Sequence, residues 1–194
     1  MAFEFKITAN LTPADLTKFG PLIKGRVALP TSKSPNDGVG GFFILDTGAS
    51  GSSIDESVAK ELGLKPTCTM MGHGLGGDTE INCYRVMIFI PAVPLLMKDF
   101  PPGALAVLGM PQEVGSVVNL HEGHEATLGK PPGRLIGLLG RSFLQFTRTT
   151  YDGLTGTITI EADQSMRDPK LDGRTRRLGM IYSMASTPGF PLHP

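Results

Sequence analysis

The residues of this chain best placed to do chemistry are Asp46-Thr47-Gly48-Ala49-Ser50, which follow directly on the apolar run Phe42-Phe43-Ile44-Leu45. That order delivers a carboxylate from a buried strand into a tight turn. Aspartate is depleted in strands and costly to bury unpaired, so an acid at the end of such a strand points to general acid or base work rather than to packing. Gly48 frees the backbone to fold back toward the carboxylate, and Thr47 adds a hydroxyl that can both donate and accept. Alone, the same five residues also describe an ordinary aspartate-led turn between two strands. A second segment separates the readings: Ile136-Gly137-Leu138-Leu139-Gly140-Arg141-Ser142-Phe143-Leu144 reads as an apolar strand, a glycine and the start of a short helix. Between the two lies the glycine-rich stretch Met70-Met71-Gly72-His73-Gly74-Leu75-Gly76-Gly77-Asp78.

The elements that must position these groups are mostly strands. The 194 residues are 40% hydrophobic, with 25 glycines, 16 prolines and no tryptophan, which favours one all-β domain with many turns. Alternating apolar and polar residues predict an edge strand at 1–7, and a further strand is predicted over 22–29, followed by a turn-rich loop over 30–41. Apolar residues at helical spacing predict a helix over 53–64, with Ser53 as N-cap, Glu56 three positions later and Gly63 closing it. Strands at 70–71 and 78–90 flank the glycine cluster as a hairpin, and 146–151 with 156–160 form another around Asp152-Gly153. A strand over 104–109 contains Val107-Leu108-Gly109, which imitates Leu138-Leu139-Gly140 but runs into Met110-Pro111 instead of a helix start.

Asp-Thr-Gly-Ala-Ser after an apolar strand, with apolar-apolar-Gly-Arg-x-x-Leu downstream and a glycine-rich hairpin between, resembles the retropepsin family of aspartic proteases. The resemblance runs well through 40–90 and 134–161 and poorly through 91–133. It implies a closed β-barrel domain over 1–161 with a flap hairpin and one or two short helices. Residues 111–133 then read as an inserted loop, and 162–194 as a polar, proline-rich tail open to partial disorder. The implied activity is that of an aspartic endopeptidase, which hydrolyses peptide bonds with an activated water and needs no metal or cofactor. Asp46 is the implied catalytic acid, with Thr47, Gly48, Ala49 and Ser50 supporting its loop. Leu139, Gly140 and Arg141 form the implied structural motif beside it, and Gly72, His73, Gly74, Leu75, Gly76 and Gly77 the flap.

This chemistry needs two carboxylates sharing one proton, because like charges a few ångströms apart cannot both ionise. The chain contains one Asp-Thr-Gly and no Asp-Ser-Gly. A homodimer, with one Asp46 from each copy on a two-fold axis, is therefore expected, acting on a peptide or protein substrate. The alternative is a catalytically silent peptide-binding or dimerisation module on the same fold. In the retroviral pattern an acid follows Asp-Thr-Gly-Ala and pairs with the arginine after the second glycine. Ser50 stands there, so Arg141 must find a different partner.

Other motifs carry less. Gly72-x-Gly74-x-x-Gly77 fits a dinucleotide fingerprint, but the β-like Thr79-Glu80-Ile81-Asn82-Cys83 follows it instead of a helix to receive a pyrophosphate. His121-Glu122-Gly123-His124-Glu125 resembles a metal cluster by composition only. Cys68 and Cys83 are equidistant from Leu75 and Gly76, so a symmetric hairpin would place them opposite each other. That arrangement invites a disulfide, gives two cross-strand thiols in a reducing compartment, and fails if a single bulge shifts the register. Lys and Arg number 18, as do Asp and Glu, which gives no basic stripe for nucleic acid or anionic lipid. The one basic run, Arg174-Thr175-Arg176-Arg177, reads as a solvated segment or a processing site. No stretch reaches the ~18 apolar residues of a membrane span, and the N-terminus has no signal-peptide core. A cytoplasmic address is the default expectation, unless a targeting segment has been removed.

Overall fold

The computed structural model describes residues 3–74, 77–95, 105–118, 120, 133–145, 147–163 and 181–184. In chain order the elements are β1 (Phe3–Asn10), α1 (Pro13–Phe19), β2 (Leu22–Ala28), β3 (Val39–Leu45), β4 (Ser53–Asp55), α2 (Glu56–Glu61) and β5 (Cys68–Gly74). There follow β6 (Gly77–Pro94), β7 (Leu105–Val117), β8 (Leu135–Leu139), α3 (Arg141–Leu144), β9 (Thr147–Asp152), β10 (Thr157–Asp163) and β11 (Ile181–Met184).

Six strands close into a ring, as the resemblance implied. β2 pairs antiparallel with β3 and with β6, and β6 pairs antiparallel with β7. β7 runs parallel to β4, β4 antiparallel to β8, and β8 parallel to β3, which completes the circuit. Closure gives each of the six strands a partner on both sides over part of its length. The distal end of β6 continues into a second layer in which β1 lies between β6 and β10, with β9 outside β10. One apolar cluster joins barrel and layer, from Phe43, Ile54, Ile88 and Leu139 to Ile7, Ile158 and Ile160. Phe43 is fully buried, a burial that stabilises the fold by roughly 1.5–3 kcal/mol. Its ring fits because its neighbours across β2 and β8 offer space: a Cβ on Gly25 would stand 2.8 Å from it, and one on Gly137 3.1 Å.

Four elements depart from the sequence expectations. The predicted helix over 53–64 starts later, because Ser53-Ile54-Asp55 is taken as a strand by β7 and β8. Asp55, not Ser53, caps α2: its Oδ1 accepts from the Ser57 amide at 2.9 Å and its Oδ2 from the Leu120 amide at 3.0 Å. Gly63 does follow the last turn, with φ 62°. Residues 111–117 are not part of a loop but continue β7, alternating a buried Val114 with an exposed Glu113 along the β6 ladder. Among the described residues the far side of β7 is paired at Leu105–Leu108 by β11 and at Gly115–Val117 by β4 and not between them, and Pro111 stands in that gap. β11 belongs to a segment expected to be tail, and α1 was not foreseen at all.

Candidate active site

β3 and β8 run side by side in parallel and finish level, with Leu45 opposite Leu139. The Asp46 amide makes the last rung, donating to the Leu139 carbonyl at 3.0 Å. The chain then turns, and the amides of Gly48 and Ala49 donate back to Asp46 Oδ1 at 2.8 and 3.2 Å. A Cβ at position 48 would sit 3.1 Å from the same oxygen and press on the carboxylate. The side chain is half-buried, whereas Thr47, Gly48 and Ser50 are exposed. One carboxylate oxygen is thus fixed by backbone dipoles. Among the described residues no group donates to Oδ2, which leaves it available to a ligand.

The second motif clamps this turn from behind. Gly140 is an extended residue between β8 and α3, and the amides of Arg141 and Ser142 donate to the carbonyls of Ala49 and Ser50 at 2.9 and 3.1 Å. The first turn of α3 therefore uses loop carbonyls to satisfy amides that have no partner inside a helix. A Cβ on Gly140 would stand 2.1 Å from the Gly51 carbonyl oxygen and 3.0 Å from that of Ala49, so the two backbones cross with no room for a side chain. Arg141 finds its partners on the same turn: Nη1 donates to the carbonyls of Thr47 and Gly48 at 3.2 and 3.1 Å. Its role is to hold the loop, in place of the acid that Ser50 does not provide.

Ser52 and Ser142 complete the clamp and were missed by sequence reasoning. The Ser52 hydroxyl accepts from the Gly140 amide at 3.2 Å and lies 3.2 Å from the Ser142 hydroxyl, which in turn accepts from the Ser52 amide at 3.0 Å. Ser52 is only 3% exposed. The sole hint in the sequence was that each serine flanks one of the two motifs.

With this geometry in place, residues 36–89, which include Asp46 and the hairpin, match the family model described as "Aspartyl protease". Over that segment the chain is similar to this family. A retropepsin-like aspartic protease from Rickettsia conorii is similar to it in structure, with 19% sequence identity, a TM-score of 0.39, and coverage of 84% of this chain and 96% of that one. No curated protein matches the chain.

The glycine-rich hairpin of this chain is β5–β6, in register from Cys68 opposite Cys83 to Gly74 opposite Gly77. His73 and Asp78 face each other near its end, with Nδ1 and Oδ1 2.6 Å apart. Gly72 and Gly77 lie on the two strands, the latter with φ 97°, while Leu75 and Gly76 fall outside the described residues. So do His121, Glu122, His124 and Glu125, and the basic run at 174–177. Among the described residues no three His, Cys, Asp or Glu side chains gather as a metal site, and no helix is long and apolar enough to cross a membrane.

Proposed function

We propose that this protein is an aspartic endopeptidase whose active site forms between two copies, each contributing Asp46. The observation that carries this reading is the state of the Asp46 carboxylate: half-buried at a strand end, with Oδ1 held by two amides and Oδ2 without a protein donor among the described residues. A positioned acid of this kind needs an acidic neighbour to work as half of a dyad, and the chain has only one such motif. The exposure of Thr47, Gly48 and Ser50 leaves this face free to meet a second copy.

In the dimer, ionised Asp46 takes a proton from a water as that water attacks the scissile carbonyl, and protonated Asp46 of the partner subunit donates to the carbonyl oxygen. Thr47 holds the two turns together across the axis. The β5–β6 hairpin acts as a flap: Gly72, His73, Gly74, Leu75, Gly76 and Gly77 close over an extended peptide, which its backbone hydrogen-bonds as an added strand. Apolar residues at the scissile bond are the preference that the resemblance implies.

Asp46→Asn tests the reading. It should abolish peptide cleavage while leaving the circular dichroism spectrum and melting temperature close to those of the parent, because no core contact depends on the charge. Cleavage surviving in a purified variant would exclude Asp46 as the acid.

A further inference from the structure

Cys68 and Cys83 lie where the glycine-rich hairpin joins the barrel. β6 has two partners in succession: from Gly77 to Cys83 it pairs with β5, and from Cys83 to Ala92 it pairs with β7. Cys83 is the one residue of β6 in both ladders, with Cys68 opposite on one side and Gly115 on the other. Beyond this point no described strand pairs with the outer side of the hairpin, so the Cys68–Cys83 pair marks its base.

The two thiols are free and unlike each other: Cys68 is exposed and Cys83 is buried. Burial, followed by the neighbouring Cys68, pushes the Cys83 thiol up to about 11. Directly opposed residues of an antiparallel pair have Cα atoms roughly 4.5–5.5 Å apart, inside the roughly 4.4–6.8 Å window of a disulfide. No bulge interrupts the register between Cys68 and Gly74.

From this juxtaposition we infer that Cys68 and Cys83 form an oxidisable pair whose disulfide fastens the base of the hairpin to the barrel and restrains its opening. The electron acceptor is a small-molecule disulfide. The exposed Cys68, as thiolate, attacks one of its sulfurs, forming a mixed disulfide and releasing one small thiol. Cys83 then gives up its proton and attacks the Cys68 sulfur, breaking the mixed disulfide and releasing the second small thiol. Two cysteine thiols are oxidised and one small disulfide is reduced to two thiols, and a reducing thiol reverses both steps. Because Cys83 is buried and held as a thiol, Cys68 attacks first and closure of the ring is the slower step. The consequence for catalysis rests on reading this hairpin as a flap, whereas the chemistry of the pair does not.

The test is to expose the full chain to oxidised glutathione and follow three readouts: peptide mapping without reduction, hydrogen exchange of the hairpin amides, and peptide cleavage. The pair should yield a peptide linking Cys68 to Cys83 with no glutathione retained. Amide exchange over 68–83 should slow several-fold, cleavage should fall, and reduction should restore both. Cys83→Ser should stop at the glutathione adduct on Cys68, and Cys68→Ser should form no link and keep the parent's exchange rate. A persistent glutathione adduct on the parent chain, or a link that leaves hairpin exchange unchanged, would overturn the inference. Absence of cleavage in both redox states would count against the protease reading alone, since mapping and exchange report the pair without it.

Discussion

Two triplets, each an apolar pair followed by glycine, have different fates: Leu138-Leu139 ends β8 and Gly140 follows it, whereas β7 passes through Val107-Leu108-Gly109. At Gly140 the strand stops because its ladder partners change. The Gly140 amide turns to the Ser52 hydroxyl, the next two amides turn to loop carbonyls, and a helix begins. At Gly109 nothing turns: the residue sits opposite Phe89 and the β6 ladder runs on through Met110 and Pro111. The difference teaches that the local triplet does not define the site. What defines it is the loop lying across the glycine, and in β8 that loop carries Asp46.

The largest effect that could break this comparison is expected at Gly140. Its Cβ would meet the backbone of Gly51 at 2.1 and 2.6 Å, and backbone cannot move aside as a flexible side-chain end can. Gly140→Val should therefore lose about 3 kcal/mol or more, the upper end for overpacking, together with most of the cleavage activity. Gly109→Val lies six residues, about 20 Å of extended strand, before the Gly115 amide that bonds to the Ser52 carbonyl. It should affect stability while sparing the rate of the folded fraction. Melting curves and cleavage rates on both variants decide the matter: a critical Gly109 and a silent Gly140 would reverse the assignment.

Ser52→Ala sharpens the same comparison at intermediate size. Removing the hydroxyl leaves the Gly140 amide without its acceptor in a buried place, which should destabilise by about 1–3 kcal/mol. Denaturant titration measures it. An unaffected midpoint would mean that the serine pair is not what ends β8.

The smallest effect is expected at a turn that touches neither glycine. Asp152, at the β9–β10 turn, has its carboxyl held below the usual range by the Thr155 side-chain and backbone bonds and by the Leu154 amide. Because the folded form is depressed, its contribution is present above the ordinary pKa of 3.8 and is lost as pH falls through the folded value. NMR shifts of the Leu154 and Thr155 amides should follow that titration in the parent and not in Asp152→Asn. Identical titration in both would show that another group controls the turn.

The parts legible in the sequence were those encoded by neighbouring residues. The strand into Asp46, the glycine turn, the helix after Gly140 and the Cys68–Cys83 register follow from local pattern or from hairpin symmetry. α1 was also written locally, as Thr12-Pro13 followed by Asp15: the Thr12 hydroxyl accepts from the Asp15 amide at 3.0 Å. Its brevity, seven residues with only Leu16 and Phe19 buried, gave no periodic signal. What could not be read was set by pairing across long separations. Ser53-Ile54-Asp55 became a strand because β7 and β8 bracket it, and Pro111 sits in a strand where no described strand pairs its far side. Ser52 and Ser142 meet only once β3 and β8 are parallel neighbours.

If each active site uses Asp46 from two chains, mixing active and inactive subunits will reveal it. A fixed amount of the parent protein is equilibrated with increasing amounts of the Asp46→Asn chain, and peptide cleavage is measured. Each parent chain captured by a variant chain loses its second carboxylate, so activity should fall toward zero as the variant is added in excess. Activity that stays constant across the mixing series, under conditions where sedimentation detects mixed dimers, would mean that one chain holds a complete site.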